Sequence, residues 1–384
     1  MNIGIFTDTY MPQVNGVVTV IRNLENELIN LGHNVYIFTV NHPDAVSKDN
    51  VYRFPSVKFI WEPQHRIGIT LSPSVTRKIK DLNLDIIHTH TEFSLQLYAR
   101  YISSHLNIPT VHTFHTYYDD YLHYVPIFER FLKIYAKSEV KKIANRQKIA
   151  VAPSKKIKAL LESYEVSSPI EIVPNGIDLS KFYSEDNSES QIAVFKDNFG
   201  IKDSDRVLVF VGRIAQEKSV DKLLINMKKI CDIRKDVKLL LIGDGPEKHA
   251  LKKMASELDI DRNIIFTGYI KWPDEIKIAY KVADIFISAS HSEVHPMTFI
   301  EALATGLPIV ALDDPSIEDM IENDFNGYKV KEQTEIWEKV LSIIDDKEML
   351  EKFSCNSYDI SKKYSSKVFT ENMLKVYEKA LGIR

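Results

Sequence analysis

The chain has 384 residues, which is too long for one ordinary hydrophobic core and fits two domains. Its composition is 44% hydrophobic and 27% charged, and no stretch approaches the roughly eighteen apolar residues that a membrane-spanning helix needs. The net charge of -4 argues against a general nucleic-acid binder. The first residues lack the basic and apolar segments of a secretory signal, so we expect a cytoplasmic protein. Two widely separated cysteines indicate neither a disulfide nor a zinc site.

The first half of the chain alternates between short apolar runs and helical patterns. An apolar run at residues 3–6 is followed by a turn-rich loop and a helical pattern, and a second β-branched run covers residues 35–40. Further runs at 84–90 and 108–115 flank a helix-like stretch from Ser94 to Leu106. This alternation predicts a parallel, doubly wound sheet.

The second half repeats the alternation after a polar gap at residues 184–190. Each apolar run ends in small or polar residues, so we expect the carboxyl ends of the strands to deliver their loops to one ligand-binding edge. The last residues, Tyr364 to Arg384, have the pattern of an amphipathic helix. The five predicted strands lie within residues 206–212, 237–243, 263–268, 283–290 and 308–312.

Two acidic residues eight positions apart, Glu293 and Glu301, bracket the predicted start of a helix near Pro296. Such a helix start offers free N–H groups and a positive dipole end to a phosphate. Glu301 could then accept hydrogen bonds from ribose hydroxyls, and Glu293 from sugar hydroxyls. The alternative is that Glu293 caps the helix and Glu301 is a solvated surface residue.

Together with Ala302-Leu-Ala-Thr-Gly306-Leu-Pro308, this segment resembles the donor-binding signature of the family-four retaining glycosyltransferases. The resemblance covers essentially the whole chain. One departure follows the first acid, where Val294 and His295 replace the usual Gly and Phe, which leaves the identity of the sugar open. Other family motifs occur in the expected order, namely Asn15-Gly16-Val17, Val173-Pro-Asn175-Gly176-Ile177-Asp178, Val211-Gly212-Arg213 with Glu217-Lys218, and Ile242-Gly-Asp-Gly-Pro-Glu247.

The resemblance implies the GT-B fold, an α/β architecture of two Rossmann-like doubly wound parallel-sheet domains that face each other across a cleft. Residues 1–175 would form the acceptor and membrane-facing domain, and a helix at 362–384 would pack back on it. Residues 176–361 would form the domain that binds the nucleotide sugar.

The resemblance also implies roles for individual residues. Gly16 would let the backbone approach the diphosphate, or it is an ordinary turn glycine. Arg213 and Lys218 would neutralise the departing diphosphate, or they are surface bases. The implied catalytic residues are His115, which approaches the sugar from the acceptor side, with Glu293, Arg213 and Lys218. The implied donor-binding residues are Gly16, Asn175, Arg213, Lys218, Gly243, Tyr269, Glu293, His295, Met297, Thr298 and Glu301.

The mechanism that the family suggests is front-face displacement with retained anomeric configuration. A phosphate oxygen of the leaving group helps to deprotonate the acceptor, so no dedicated general base is required. The Asp-x-Asp sequence Asp259-Ile-Asp261 falls at a predicted helix–loop junction rather than at a strand end. We therefore expect no cofactor and no catalytic metal.

The segments around residues 88–94 and 115–126 look like those of bacterial diacylglycerol glycosyltransferases. Aromatic side chains there precede a basic stretch from Arg130 to Lys158, so we expect apolar groups to enter the lipid interface while lysines meet anionic head groups. The alternative is an aromatic core beside a solvated helix face. The proposed acceptor and membrane residues are Tyr117, Tyr118, Tyr121, Tyr124, Lys133, Lys137, Lys141 and Lys142.

The leading hypothesis is transfer of glucose or galactose from a UDP-sugar to diacylglycerol or monoglycosyl-diacylglycerol at the inner face of the cell membrane. A second hypothesis keeps the chemistry but uses a soluble or polyprenyl acceptor. A third is a sugar-nucleotide binding protein without transfer activity. The sequence does not indicate an oligomeric state.

Overall fold

The computed structural model describes residues 1–58, 66–70, 73–116, 129–183 and 189–383. These residues form two compact units. The first comprises Met1–Ile177 together with Ser366–Arg384, and the second comprises Asp178–Ser365. Among the described helices, none combines the length and the apolar character needed to cross a bilayer.

The strands of both units are short, as expected for sheets covered by helices. In chain order they are β1 (Asn2–Phe6), β2 (Asn34–Val40), β3 (Val51–Phe54), β4 (Ser56–Lys58), β5 (Arg66–Gly68), β6 (Ile86–Thr89), β7 (Thr110–Thr113), β8 (Ile149–Ala152), β9 (Ile170–Ile172), β10 (Arg206–Val211), β11 (Val237–Ile242), β12 (Ile264–Gly268), β13 (Ile285–Ser288), β14 (Ile309–Leu312) and β15 (Gly327–Val330).

The helices alternate with these strands. They are α1 (Gly16–Asn30), α2 (Pro73–Asp81), α3 (Ser94–Leu106), α4 (Glu129–Ala144), α5 (Lys155–Ser163), α6 (Ser180–Tyr183), α7 (Glu189–Phe199), α8 (Val220–Ile233), α9 (Lys248–Glu257), α10 (Ile276–Val282), α11 (Met297–Ala304), α12 (Ile336–Ile344), α13 (Lys347–Ser361) and α14 (Ser366–Leu381). A 3-10 turn over Gln216–Lys218 follows β10.

The first unit contains a seven-stranded sheet in the order β3-β2-β1-β6-β7-β8-β9, in which every pairing is parallel. Its central strands are buried on both faces, which explains their continuous apolar character. The predicted helix from Ser94 to Leu106 is confirmed as α3. The small antiparallel sheet of β4 and β5 is an addition that the sequence pattern did not predict.

The second unit contains a six-stranded parallel sheet in the order β12-β11-β10-β13-β14-β15. The five predicted strands are confirmed as β10 to β14. The sixth strand, β15, was missed because its sequence, Gly-Tyr-Lys-Val, is short and half polar. Two units built on parallel sheets with helical crossovers confirm the predicted α/β class.

The predicted C-terminal helix is confirmed as α14, which spans Ser366–Leu381 and so lies within the predicted range. Although it follows the whole second unit in sequence, α14 belongs to the first unit and packs on α1. Its Met373 and Tyr377 side chains are fully buried. The core of the first unit therefore depends on residues from both ends of the chain.

Candidate functional site

The pair of Lys218 and Glu293 lies at the carboxyl edge of the second sheet. Lys218 ends the 3-10 turn after β10, and Glu293 lies in the loop after β13. Because β10 and β13 are parallel neighbours, their following loops meet at the same edge. Lys218 Nζ donates to Glu293 Oε1 at 2.6 Å, with side-chain exposures of 18% and 16%. Two predicted catalytic residues, 75 positions apart, thus form one partly buried ion pair.

Helix α11 begins directly beyond this ion pair, as the sequence predicted. Its N-cap residue is Pro296, which has extended backbone angles and makes no side-chain capping bond. The first backbone N–H groups of the helix, on Met297 and Thr298, therefore donate no hydrogen bond to a cap side chain. A helix start of this kind suits an anion.

His295 precedes α11 and is buried, with its ring centroid 5.6 Å from that of Tyr364. Burial lowers the pKa of His295 to about 4, so the ring is neutral at physiological pH. His295, which stands where the family usually has Phe, is therefore an uncharged ring within the core of the second unit.

Glu301 is buried within α11, so the alternative of a solvated surface residue is wrong. Its Oε1 accepts a hydrogen bond from Trp272 Nε1 at 2.9 Å, and its Oε2 accepts one from the Tyr280 hydroxyl at 2.9 Å. Burial raises the pKa of Glu301 to about 7, and the two hydrogen bonds oppose this rise. Trp272 and Tyr280 escaped the sequence analysis, since only the fold brings them to the carboxylate.

Two glycines, Gly243 and Gly245, allow two loops of the second unit to pass each other in direct backbone contact. A Cβ on Gly243, which has φ +133°, would lie 1.9 Å from the carbonyl oxygen of Gly212. A Cβ on Gly245 would lie 2.2 Å from the carbonyl oxygen of Ile214. The loop that carries the exposed Arg213 side chain is thus fixed against the Gly-Asp-Gly turn.

Tyr269 follows β12 and is 67% exposed. It lines a cavity of about 470 Å³ together with Phe195 and Val194 of α7 and Ile278 of α10. Within the second unit, Tyr269 is thus available to a planar ligand at the edge of the sheet.

In the first unit, Asn15 and Gly16 form the start of α1. Asn15 Oδ1 accepts from the Val18 backbone N–H at 2.9 Å, and Asn15 Nδ2 donates to the Thr9 hydroxyl at 2.9 Å. Gly16 is exposed as the first helical residue. Asn15 is therefore both the helix cap and the tether of the preceding loop. Asn175, by contrast, is buried in the segment after β9.

A buried carboxylate that the sequence analysis missed joins two loops of the first unit. Asp8, after β1, accepts hydrogen bonds from the Thr91 hydroxyl at 2.7 Å, the Leu95 N–H at 3.2 Å and the Ser94 hydroxyl. Burial raises its pKa, while these donors act in the opposite direction. Asp8 thereby fixes the loops that follow β1 and β6.

Four histidines, His88, His90, His112 and His115, cluster at the carboxyl ends of β6 and β7. His115 and His90 are joined by a 3.0 Å contact between His115 Nε2 and His90 Nδ1. His88 contacts the Tyr377 and Thr113 hydroxyls at 2.7 Å each. Burial lowers the pKa of His115 to about 3, and it lowers the pKa values of His88 and His90 well below their usual range.

The predicted membrane residues are only partly within the described structure. Four of them lie outside the described residues, namely Tyr117, Tyr118, Tyr121 and Tyr124. Lys133 lies in α4, but the structure does not describe its side chain. The other three lysines have partners: Lys137 Nζ donates to the Ser163 carbonyl at 3.2 Å, Lys141 pairs with Glu165 at 2.8 Å, and Lys142 pairs with Glu139 at 2.7 Å.

The described part of the basic stretch from Arg130 to Lys158 does not lie on a single element. It is divided among α4, β8 and α5, and folding brings Glu165 and Glu162 against its lysines. On α4, however, Ile134 is 63% exposed and Tyr135 is 59% exposed. Two apolar side chains of this helix are thus available to a partner.

The two parallel-sheet units and the loops at their carboxyl edges define a glycosyltransferase of the GT-B class. The family model described as Glycosyltransferase Family 4 matches residues 14–181, and the one described as Glycosyl transferases group 1 matches residues 191–359. The chain belongs to this glycosyltransferase family, which confirms the resemblance found in its motifs.

Two curated relatives share a substantial part of the sequence. The alpha-monoglucosyldiacylglycerol synthase of Streptococcus pneumoniae is 37% identical over 85% of this chain and 74% of its own length. The enzyme of the same name from Acholeplasma laidlawii is 33% identical over 98% of this chain and 96% of its own.

Solved structures share the fold at low sequence identity. Anabaena HepE in complex with UDP and glucose has a TM-score of 0.75 and 15% identity, covering 99% of this chain and all of its own. Sucrose-phosphate synthase from Thermosynechococcus elongatus has a TM-score of 0.77 and 17% identity over the full length of both chains. These similarities show the fold alone.

Proposed function

We propose that this protein is a retaining hexosyltransferase that moves glucose or galactose from a UDP-sugar to diacylglycerol or monoglycosyl-diacylglycerol. The Lys218–Glu293 ion pair beside the start of α11 carries the proposal, since it joins a cation and a sugar-binding carboxylate at a ligand-binding edge. The names of the two curated relatives support a diacylglycerol-based acceptor.

In this proposal the residues of the second unit bind the donor. Lys218, Arg213 and the N–H groups at the start of α11 stabilise the negative charge that develops on the leaving diphosphate. Glu293 accepts hydrogen bonds from hydroxyls of the transferred sugar, and Glu301 binds the ribose.

The transfer itself needs one bond to break and one to form on the same face of the sugar. The bond between the anomeric carbon and the diphosphate oxygen breaks, while the acceptor hydroxyl oxygen bonds to the anomeric carbon. The hydroxyl proton passes to the departing phosphate oxygen. His115 holds the sugar from the acceptor side, and the chain requires no metal for this step.

Product analysis tests the proposal directly. The protein is incubated with labelled UDP-glucose or UDP-galactose and with vesicles that contain diacylglycerol, monoglucosyl-diacylglycerol or neither. We expect a glycolipid with an α-linked sugar, identified by mass and by the proton coupling of the anomeric position. A β-linked product would contradict retention, and transfer only to water or to soluble acceptors would contradict the lipid acceptor.

We further propose that α4 contributes to peripheral docking on the inner face of the cell membrane, and that it does so mainly through Ile134 and Tyr135. Both side chains are exposed, whereas the neighbouring lysines are engaged by the protein. Burial of an exposed isoleucine is worth on the order of 1.5–3 kcal/mol, and each lysine near an anionic surface adds on the order of 1 kcal/mol.

Vesicle co-sedimentation measures this docking. The double variant Ile134→Ser with Tyr135→Ser should bind anionic vesicles about tenfold less tightly or worse. The matched control is Val194→Ser, a comparably exposed apolar residue on α7 of the second unit, which should bind like wild type. Equal binding by both variants would remove α4 from the docking surface.

A further inference from the structure

Of the two ring nitrogens that face each other between His90 and His115, one carries a proton and the other accepts it in a hydrogen bond. The two rings lie nearly parallel, at 15° with centroids 5.2 Å apart, and the facing nitrogens are His90 Nδ1 and His115 Nε2, 3.0 Å apart. Burial keeps both imidazoles neutral at physiological pH. A neutral imidazole carries one N–H and one lone pair, so one ring must donate to the other.

The remaining nitrogen of His90 indicates the direction of donation. His90 Nε2 is buried and has no hydrogen-bond partner among the residues that the structure describes. If His115 were the donor, His90 would carry its proton on Nε2, and this N–H would be buried without an acceptor. Such a donor costs about 1–3 kcal/mol, and buried N–H groups without partners are rarer in proteins than buried acceptors without them.

A second layer of contacts holds His90 in this orientation. Its ring centroid lies 3.9 Å from that of His88, and His88 is itself fixed between the hydroxyls of Tyr377 on α14 and Thr113 on β7. His115 remains only partly buried, so its ring keeps a surface for a ligand. The cluster thus has a rigid interior and an accessible end.

We propose that His90 is a positioning residue that donates from Nδ1 to His115 Nε2 and thereby holds His115 in the Nδ1–H tautomer. His115 then offers the transferred sugar an N–H donor and keeps no free lone pair with which to act as a base. This inference rests on the proposed function, because it assigns the form in which His115 meets the sugar. It agrees with proton transfer to the leaving phosphate.

The tautomer can be measured without any substrate. Long-range proton–nitrogen NMR at pH 7 distinguishes protonated from unprotonated ring nitrogens, and comparison with His115→Gln assigns the signals of His115. We expect a protonated Nδ1 and an unprotonated Nε2 in wild type. In His90→Phe, which keeps an aromatic ring but removes the donor, we expect the two tautomers to mix. A protonated Nε2 on His115 in wild type would overturn the proposal.

Kinetics provide the second test. His90→Phe should lower kcat about tenfold or more, with little change in the KM for the donor. His90→Asn should recover most of the activity, because its amide nitrogen can occupy the position of Nδ1. The exposed His105 on α3 supplies the matched control, His105→Phe, which should behave like wild type. Unchanged kcat in His90→Phe, or equal loss in His90→Asn, would contradict the positioning role.

The two tests separate this inference from the proposed function. If the NMR signals show the Nδ1–H tautomer but no glycolipid forms, the acceptor assignment fails and the tautomer assignment stands. If glycolipid forms and the tautomer is the opposite one, only the role of His90 fails.

Discussion

At the scale of single residues, the Lys218–Glu293 pair makes the most direct prediction. Lys218→Ala and Glu293→Ala should each lose about 2 kcal/mol of transition-state stabilisation, which is roughly thirtyfold in kcat/KM. Because the two side chains bond to each other, the double variant should lose less than the sum of the two single losses.

Lys222→Ala is the matched control for this measurement. Lys222 lies four residues further along the chain and pairs with Asp221 at 3.2 Å on the surface of the same unit. It should keep near wild-type activity. Full activity in Lys218→Ala would exclude Lys218 from the mechanism.

Glu301 makes a prediction about pH. Burial raises its pKa from 4.5 to about 7, so between these values the folded chain keeps a proton that the unfolded chain has released. The free energy of unfolding should therefore fall as the pH rises through this window. Glu301→Gln removes the titration, so its stability relative to wild type should be about 2–3 kcal/mol more favourable at pH 8 than at pH 5.

Urea unfolding at the two pH values tests this expectation. The exposed Glu257, which lies 3.4 Å from Lys253, provides the control variant Glu257→Gln. A constant difference between Glu301→Gln and wild type across the range would show that Glu301 is not held in its protonated form.

At the scale of elements, the crossing of the two loops depends on Gly243. An alanine at position 243 would have a φ of +133° and a Cβ 1.9 Å from a carbonyl oxygen. An alanine at position 200 would have a φ of +64°, but its Cβ would lie in open space. Gly200→Ala should cost about 1–2 kcal/mol, and Gly243→Ala more than about 3 kcal/mol. Denaturant titration compares them, and similar losses would refute the steric argument.

The elements themselves were largely predictable, because periodicity is a local property of the sequence. Helix α3 and strands β10 to β14 follow apolar patterns that adjacent residues determine. The partners of site residues were not predictable in this way. Asp8 bonds to residues more than 80 positions away, and Glu301 meets Trp272 across 29 positions. Family motifs indicated the candidate site residues, but only the fold shows which of them touch.

The partners of the lysines in the basic stretch were not predictable for the same reason. Counting charges along residues 130 to 158 treats each lysine as free, yet Glu165 reaches Lys141 only after the chain has turned back beyond α5. The sequence alone also does not show which apolar side chains of α4 are exposed, because exposed and buried positions of a helix look alike until its packing is known.

At the scale of the whole molecule, the proposed chemistry places all charge stabilisation on the protein. Exhaustive treatment with a chelator should therefore leave the rate of sugar transfer within about twofold of its initial value, since cationic side chains and a helix start replace a metal ion. The same assay with added Mg²⁺ or Mn²⁺ is the control for non-specific effects. A large loss on chelation that the metal restores would contradict the metal-independent mechanism.

The position of α14 has a consequence for biosynthesis. Residues 1–177 leave the ribosome long before residues 366–381, yet Met373, Val376 and Tyr377 are part of the first unit's core. The second unit is a continuous segment and can fold during synthesis, whereas α1 of the first unit lacks its packing partner α14 until translation has passed through the second unit. The histidine cluster, which the Tyr377 hydroxyl contacts, is thus completed late, and a nascent chain stalled before residue 377 would contain the whole second unit but an incomplete first unit.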